Sequence, residues 1–457
     1  NYLDGPIFRG MRESLMKSFN EMYIYDLHGN SMRKEKCPDG SKDENVFDIR
    51  TGVAIVILVK HGKEGQGVFR GDLLGRREDK YSSLSSRDIS TTEWKRIEPY
   101  KPQFYFTVTD KRNSDIYSKF VSISEIFQTF SVGMTTHRDH FVVDFSEDAL
   151  VNKIRLFLDP ELDDDEIRRI FDLKDNRDWK LSEKRKSIMK DDDWRGKVTR
   201  TLYRPFDFRW VFYHKDAVDF DRREIMQNLL EIPNLALIST RLNRGLSNNY
   251  FFVSEKIVDR HCLDNAQDST YVFPLYVIEA NQRRVLFGRH AQPNYRVNFM
   301  KEFDRKLKLS ESPEIFFNYI FAVMSCNKYK ERYGKFLKSD FPRIPIAEYF
   351  SFVEEVALLG KKLVETHLLT YSELKSSVAK FPNSGDNTIE KPFYHPDSQR
   401  IYINVNQYFE GVESEVWNYM IGGYKVCEKW LKDRRGRMLS NAEILHYLKV
   451  VTAIDRK

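Results

Sequence analysis

The sequence predicts an α/β segment that leads into a mixed α+β region and ends in helices, and three patterns carry that prediction. Residues 8–59 run as helix, strand, long loop and apolar strand. Residues 201–300 hold short apolar runs, each bounded by polar loops. From Asn298 to about Leu369 apolar residues recur at helical spacing.

Met11, Leu15, Met16 and Phe19 fall on one face of a helix, and the strand Glu21 to Leu27 follows. Pro38-Asp39-Gly40 marks a turn before a short strand, "VFDI", and the run Val53 to Val59, which is almost wholly apolar. An apolar run of this kind belongs in the middle of a large sheet, and the order suits the last part of an α/β sheet whose final strand is antiparallel. Residues 61–118 read as irregular. A short helix, a glycine loop and a strand at Phe141 to Phe145 precede three charged helices between Glu147 and about Lys190. The runs "RWVFYH", "NLALIST", "NYFFVS" and "YVFPLYVI" are the strands of the middle region, and "SPEIFFNYIFAVMSC" is the best amphipathic helix. Residues 376–400 form a loop-rich connector to a last helical unit. No internal repeat is visible.

A length of 457 residues, 41% hydrophobic, allows two or three globular domains. No run of 18 apolar residues occurs, and the first residues lack the pattern of a signal peptide. A cytoplasmic protein without a membrane partner is expected. Cys37, Cys262, Cys326 and Cys427 are too far apart for zinc-ligand spacing and are expected to be reduced and mostly buried. A net charge of +6 permits nucleic acid without requiring it. The chain starts at Asn1 in what reads as the tail of a strand, so a fragment is expected.

No catalytic centre is complete. The acids at Leu158 to Glu166 and Lys190 to Trp194 lack the lysine of a magnesium nuclease and suit helix caps instead. Glu93-Trp94-Lys95 has the spacing but no preceding Pro-Asp pair. The glycines at Glu64 to Gly67 do not open an apolar helix, as a phosphate loop would. His137 and His140 are three apart in a loop and read as surface or hydrogen-bonding residues, not ligands. No metal site is expected.

Binding signals are better. Residues 201–300 carry eleven arginines against two lysines, and arginine suits planar, bidentate contacts. Four loops combine arginine with polar side chains: Thr135, Thr136, Arg138 and Asp139; Arg204, Asp207 and Arg209; Arg222 and Arg223; Arg241, Asn243 and Arg244. Such residues read base edges and hold phosphates. The bland reading is an internal network with aspartates, which Asp207 beside Arg209 suggests. "WLKDRRGR", Trp430 to Arg437, reads as a solvated basic helix end.

Several segments together resemble a known family: "YLDGPIFRGMRESLMKSFNEMYIYDLHGN", "DGSKDENVFDIRTGVAIVILVK", "TTHRDHF", "YRPFDFRWVFYH", "YVFPLYV", "YKERYGKFLKSDFPRIPI" and "VWNYMIGGYKVCEKWLKDRRGR". The chain resembles, from end to end, the C-terminal part of bacterial adenine-specific DNA methyltransferases of single-polypeptide type I (type ISP) restriction-modification enzymes, and more distantly type IIG enzymes. The resemblance implies the end of a Rossmann-like methyltransferase sheet over 1–118, with its last strands near 21–27 and 53–59. A target recognition domain over 119–375 and a helical unit over 376–457 would follow. It further implies sequence-specific recognition of double-stranded DNA around a flipped adenine. Methyltransferase, motor and nuclease parts would lie upstream in the same phage-defence polypeptide. The S-adenosylmethionine loop and the Asn-Pro-Pro-Tyr tetrapeptide belong to that upstream part. Neither occurs here, so this chain alone is expected to bind no cofactor and transfer no methyl group. The rival reading is a structural or protein-interaction module whose arginine loops pair internally.

Overall fold

A computed structural model of the chain describes every residue except 1, 32–34, 63–66, 102, 108–110, 244–248, 264–268 and 279–290. Its contacts divide it into two compact units, Asn1–Lys119 and Phe120–Lys457.

In the first unit, β1 (Glu21–Asp26), β2 (Ala54–Val59), β3 (Gly67–Asp72) and β4 (Lys95–Ile97) form one sheet in the order β2-β1-β3-β4. β2 is antiparallel to β1 and β3 is parallel to it. Alternation along β1 sends Met22 and Ile24 into one small core, and Tyr25 with Leu27 into another on the opposite face. The helix Arg9–Ser18 covers the first core with Leu15 and Met16.

Among the described residues β2 is the outermost strand of this sheet, packing Ala54, Val56 and Leu58 while Ile55 and Ile57 are exposed. One expectation needs correction here. "VFDI" is a bend, not a strand. β3 was not visible in the sequence because "GVFRGD" has no apolar run; its burial depends on Arg70, which bridges Asp26 at 2.6 Å and Asp72 at 2.7 Å. Glu64 to Gln66 lie outside the described residues, and Gly67 opens β3.

The loop after β1 is strongly constrained. His28 and Gly29 are both left-handed, at φ 51° and 81°, and a Cβ on Gly29 would lie 2.4 Å from the Asn45 Cα. Lys80 and Asp43, both fully buried, meet at 2.7 Å, and the ammonium also donates to the carbonyls of Leu27 and Glu44.

The second unit is built on two four-stranded sheets. One has the order β11-β10-β13-β6: Phe251–Ser254, Ala236–Thr240, Thr270–Pro274 and Ser131–Val132. The other has the order β12-β8-β9-β7: Ile257–Val258, Val198–Arg204, Asp207–Phe212 and Val143–Asp144. β10, β11 and β13 explain the apolar runs of the middle region, because their sheet separates two cores. Leu237, Phe251, Val253 and Phe273 face one core, while Ala236, Ile238, Phe252 and Val272 face the other. The expected strand at Phe141 to Phe145 is shorter: Asp139–Val142 is a helical turn and only Val143–Asp144 is extended.

The three charged helices are present at Glu147–Phe157, Asp164–Phe171 and Leu181–Ile188, and Asp163 caps the second by accepting from the Glu166 amide. The helix Pro313–Ser325 packs on Phe350–His367 so closely that a Cβ on Gly360 would lie 1.9 Å from the Asn318 carbonyl oxygen. The stretch 376–457, expected to be helical, first forms an antiparallel sheet of Phe393–His395, Arg400–Tyr402 and Tyr408–Glu410. Its helices then close over the core that also holds Met134 to Leu263. Cys262 and Cys427 are buried there, whereas Cys326 is exposed; all four cysteines are free.

Gly360→Ala should destabilise the second unit by about 2 kcal/mol or more, since backbone must move to admit the methyl group; urea unfolding measures it. The two units should also respond oppositely to pH. Burial holds His214, His367 and His446 of the second unit below the usual imidazole range. Their unfolded forms take up protons below about pH 6.5, so the stability of this unit is full above that pH and falls as pH drops through it. Burial alone would lower His28 in the first unit, but Asp72 and Glu35 together push it up to about 9. The stability it adds is fully present below about pH 6.5 and is lost as pH rises through about 9. Hydrogen exchange read separately over the two units should show opposite trends, and His367→Gln should flatten the acid limb.

Candidate nucleic-acid interface

The turn between β8 and β9 places Arg204, Asp207 and Arg209 together. Residues two apart on a strand share a face, so Arg209 reaches back to the Asp207 carboxylate at 2.7 Å and also to Asp433 at 2.7 Å. Arg434 binds the other Asp207 oxygen at 2.7 Å. The guanidinium of Arg209 stacks 3.8 Å above the Tyr203 ring, and that of Arg434 stacks 3.6 Å above Trp430. Burial would raise the Asp207 pKa, but Arg434 and Arg209 outweigh it and hold the carboxyl at about 2. Arg204 donates to Asp259 at 2.8 Å and lies 4.0 Å above Tyr203.

The loop at 135–139 is tied in the same way. Thr136 bonds Asp139, which also accepts from the Tyr203 hydroxyl at 2.6 Å. Arg138 is buried, pairs with Asp219 and lies 4.1 Å above Trp179. Thr135 is buried, its backbone paired with Phe220.

Arg138, Arg204 and Arg209 therefore spend guanidinium donors inside the protein, in the arginine–aspartate network that was the bland reading of these loops. The others differ. Arg223 and Arg241 are 67% and 60% exposed; among the described residues Arg223 meets Glu231 at 3.6 Å and Arg241 donates to Asp340 at 3.1 Å, both at the surface. Arg222 is half-buried over Phe220, and Asn243 is buried, its backbone N–H donating to the Lys338 carbonyl. Arg244 lies outside the described residues. The basic stretch 430–437 is not wholly a solvated helix end: Arg434 is buried, and Arg437 reaches Glu443 at 3.2 Å with its guanidinium over Phe145.

His137 and Phe220 are also displayed at the surface, and the sequence carries little signal for either: His137 reads only as a histidine with poor ligand spacing. Among the described residues, Asp26, His28 and Asp72 bring ligand-type atoms within 4.8 Å of one another. The Arg70 guanidinium bonds both carboxylates, and its charge opposes a cation at that place.

Asp207→Asn should cost about 3–5 kcal/mol, because it takes the close carboxylate from buried Arg434 and leaves Arg209 with Asp433 alone, while Arg223→Gln should be nearly neutral; equilibrium urea unfolding of both variants checks this.

No curated protein matches the chain. Its fold is similar to three solved structures. The first is a nuclease-deletion mutant of the type ISP restriction-modification enzyme LlaGI in complex with a DNA substrate mimic (TM-score 0.67, 19% identity, covering 100% of this chain and 38% of that one). The second is the DrdV–DNA complex (0.69, 20%, covering 99% and 48%). The third is the ATP-dependent type ISP enzyme LlaBIII bound to DNA (0.70, 19%, covering 100% and 31%). The chain thus spans less than half the length of each. Residues 125–457 match the family model described as the Type ISP C-terminal specificity domain, and the chain belongs to that family.

Proposed function

We propose that this chain recognises a specific sequence in double-stranded DNA, as the reading part of a longer restriction-modification polypeptide that methylates adenine. The observation that carries the reading is the family match over 125–457, together with a fold shared with three proteins solved with DNA or a DNA mimic. The exposed arginines suit it: Arg223 and Arg241 have the reach and charge to hold phosphates, whereas the buried ones brace the loops from beneath. S-adenosylmethionine, held by residues upstream of this chain, would supply the methyl group. Within this chain the work is recognition, and the upstream methyltransferase, motor and nuclease parts are its partners.

A second reading, a protein-interaction module, is favoured by one feature. The helix Phe350–His367 leaves Phe352 and Leu359, seven residues apart on one face, exposed, with Tyr349 exposed just before it, and exposed apolar side chains grouped in this way suit a protein contact.

Binding of the 457-residue chain to randomised duplex DNA at two salt concentrations separates these readings. The DNA reading expects one enriched motif and an affinity that falls steeply with salt. Arg241→Gln should weaken binding evenly across sequences and reduce the salt slope by about one. No retention at low salt would leave the interaction module in its place.

A further inference from the structure

Among the arginine loops, the pair at 135–139 and 219–223 is built unlike the others. Its two halves are zipped together: the Thr135 amide donates to the Phe220 carbonyl at 2.9 Å, and the Thr135 carbonyl accepts from Asp219 at 3.0 Å and Phe220 at 3.1 Å. Beneath them, the buried Asp219 carboxylate binds both Arg138 and the His137 ring. The Tyr213 hydroxyl donates to the Asp221 carbonyl at 2.6 Å. The backbone of both loops is thereby fixed before any partner arrives.

This frame turns a compact group of side chains outward. The His137 ring is 55% exposed and stands edge-to-face to Phe220, which is 41% exposed. The Arg222 guanidinium lies 5.2 Å from the centre of the same Phe220 ring, and Arg223 follows in the open. His137 and Arg222 both have φ of 52°, a left-handed conformation that side chains rarely adopt. The loops hold both residues in it without a glycine. A hydrophobic ring exposed beside a histidine and two arginines, on a rigid base, fits a partner with flat apolar edges and flanking anions. Duplex DNA has both: thymine methyls and base edges in the groove, phosphates on either side.

We propose that these paired loops form a base-reading edge in which His137 and Phe220 meet base edges while Arg222 and Arg223 hold the adjoining phosphates. The assignment rests on the DNA-recognition reading above and names the residues that carry it. His137 offers a ring nitrogen to a base edge, its other nitrogen being held by Asp219. Phe220 supplies the apolar contact. Asp221 and Glu224, next to the two arginines in sequence, limit how many phosphates this edge can hold.

The test uses the 457-residue chain and the motif it selects from randomised duplex. His137→Gly relieves the left-handed backbone but gives up the bond to Asp219, so the variant should stay folded and melt within a few degrees of wild type. It should bind the selected motif about tenfold or more weakly and lose preference at one or two neighbouring base pairs. Phe220→Ser should relax the same positions. Arg223→Gln should leave the motif unchanged and lower the salt slope by about one. Arg177, 90% exposed beside Asp178 and outside these loops, serves as the control, and Arg177→Gln should change neither. If His137→Gly and Phe220→Ser select the wild-type motif, whether or not affinity falls, the base-reading assignment is overturned while DNA recognition stands. A wild-type chain that retains no DNA at low salt overturns both.

Discussion

Asp207 is the constraint on which the second unit depends. It is wholly buried, and a carboxylate there survives as an anion only because Arg209 and Arg434 each donate to it. Such an arrangement adds little net stability over a well-packed apolar cluster, but removing any member leaves uncompensated charge in a dry interior. Its value is therefore positional. Arg434 is 227 residues away in sequence, so the contact fastens the far end of the chain to the β8–β9 turn. Arginine rather than lysine suits each position, because the planar group can stack on Tyr203, Phe145 or Trp430 while its edge meets a carboxylate.

From that fastening the rest of the architecture follows. With 376–457 closed over the same core as Met134 to Leu263, the sheet of β10, β11 and β13 is covered on both faces. A sheet held between two cores has little freedom to bend, and loops leaving it inherit a fixed origin. The Asp219–Arg138 pair repeats the device at smaller scale, with Trp179 as the stacking surface. Charge is neutralised inside so that side chains outside can be placed without being tied down.

Much of this was legible in the sequence where the signal was local. The strands at 207–212, 236–240, 251–254 and 270–274 follow from short apolar runs between polar loops, and the helix Pro313–Ser325 from its periodicity. The Asp207–Arg209 pair could be suspected, being two residues apart on a strand. What was not legible depends on distant partners. β3 is held by its ladders to β1 and β4 and by Arg70, which meets carboxylates on β1 and at its own end, and nothing in "GVFRGD" announces these distant partners. Arg434 looked like a solvated basic residue because its partner is on another element.

The same logic explains why arginine counts are a poor guide to a reading surface. A guanidinium near an aspartate in space is a fastener, and the two roles are chemically identical until burial separates them. Arg138 and Arg223 illustrate the difference: one lies on Trp179 with its donors on Asp219, the other extends into solvent with a partner it can release. The left-handed residues follow the same division. His137 and Arg222 hold an unfavourable backbone because the zipped loops around them would lose their own hydrogen bonds if either relaxed.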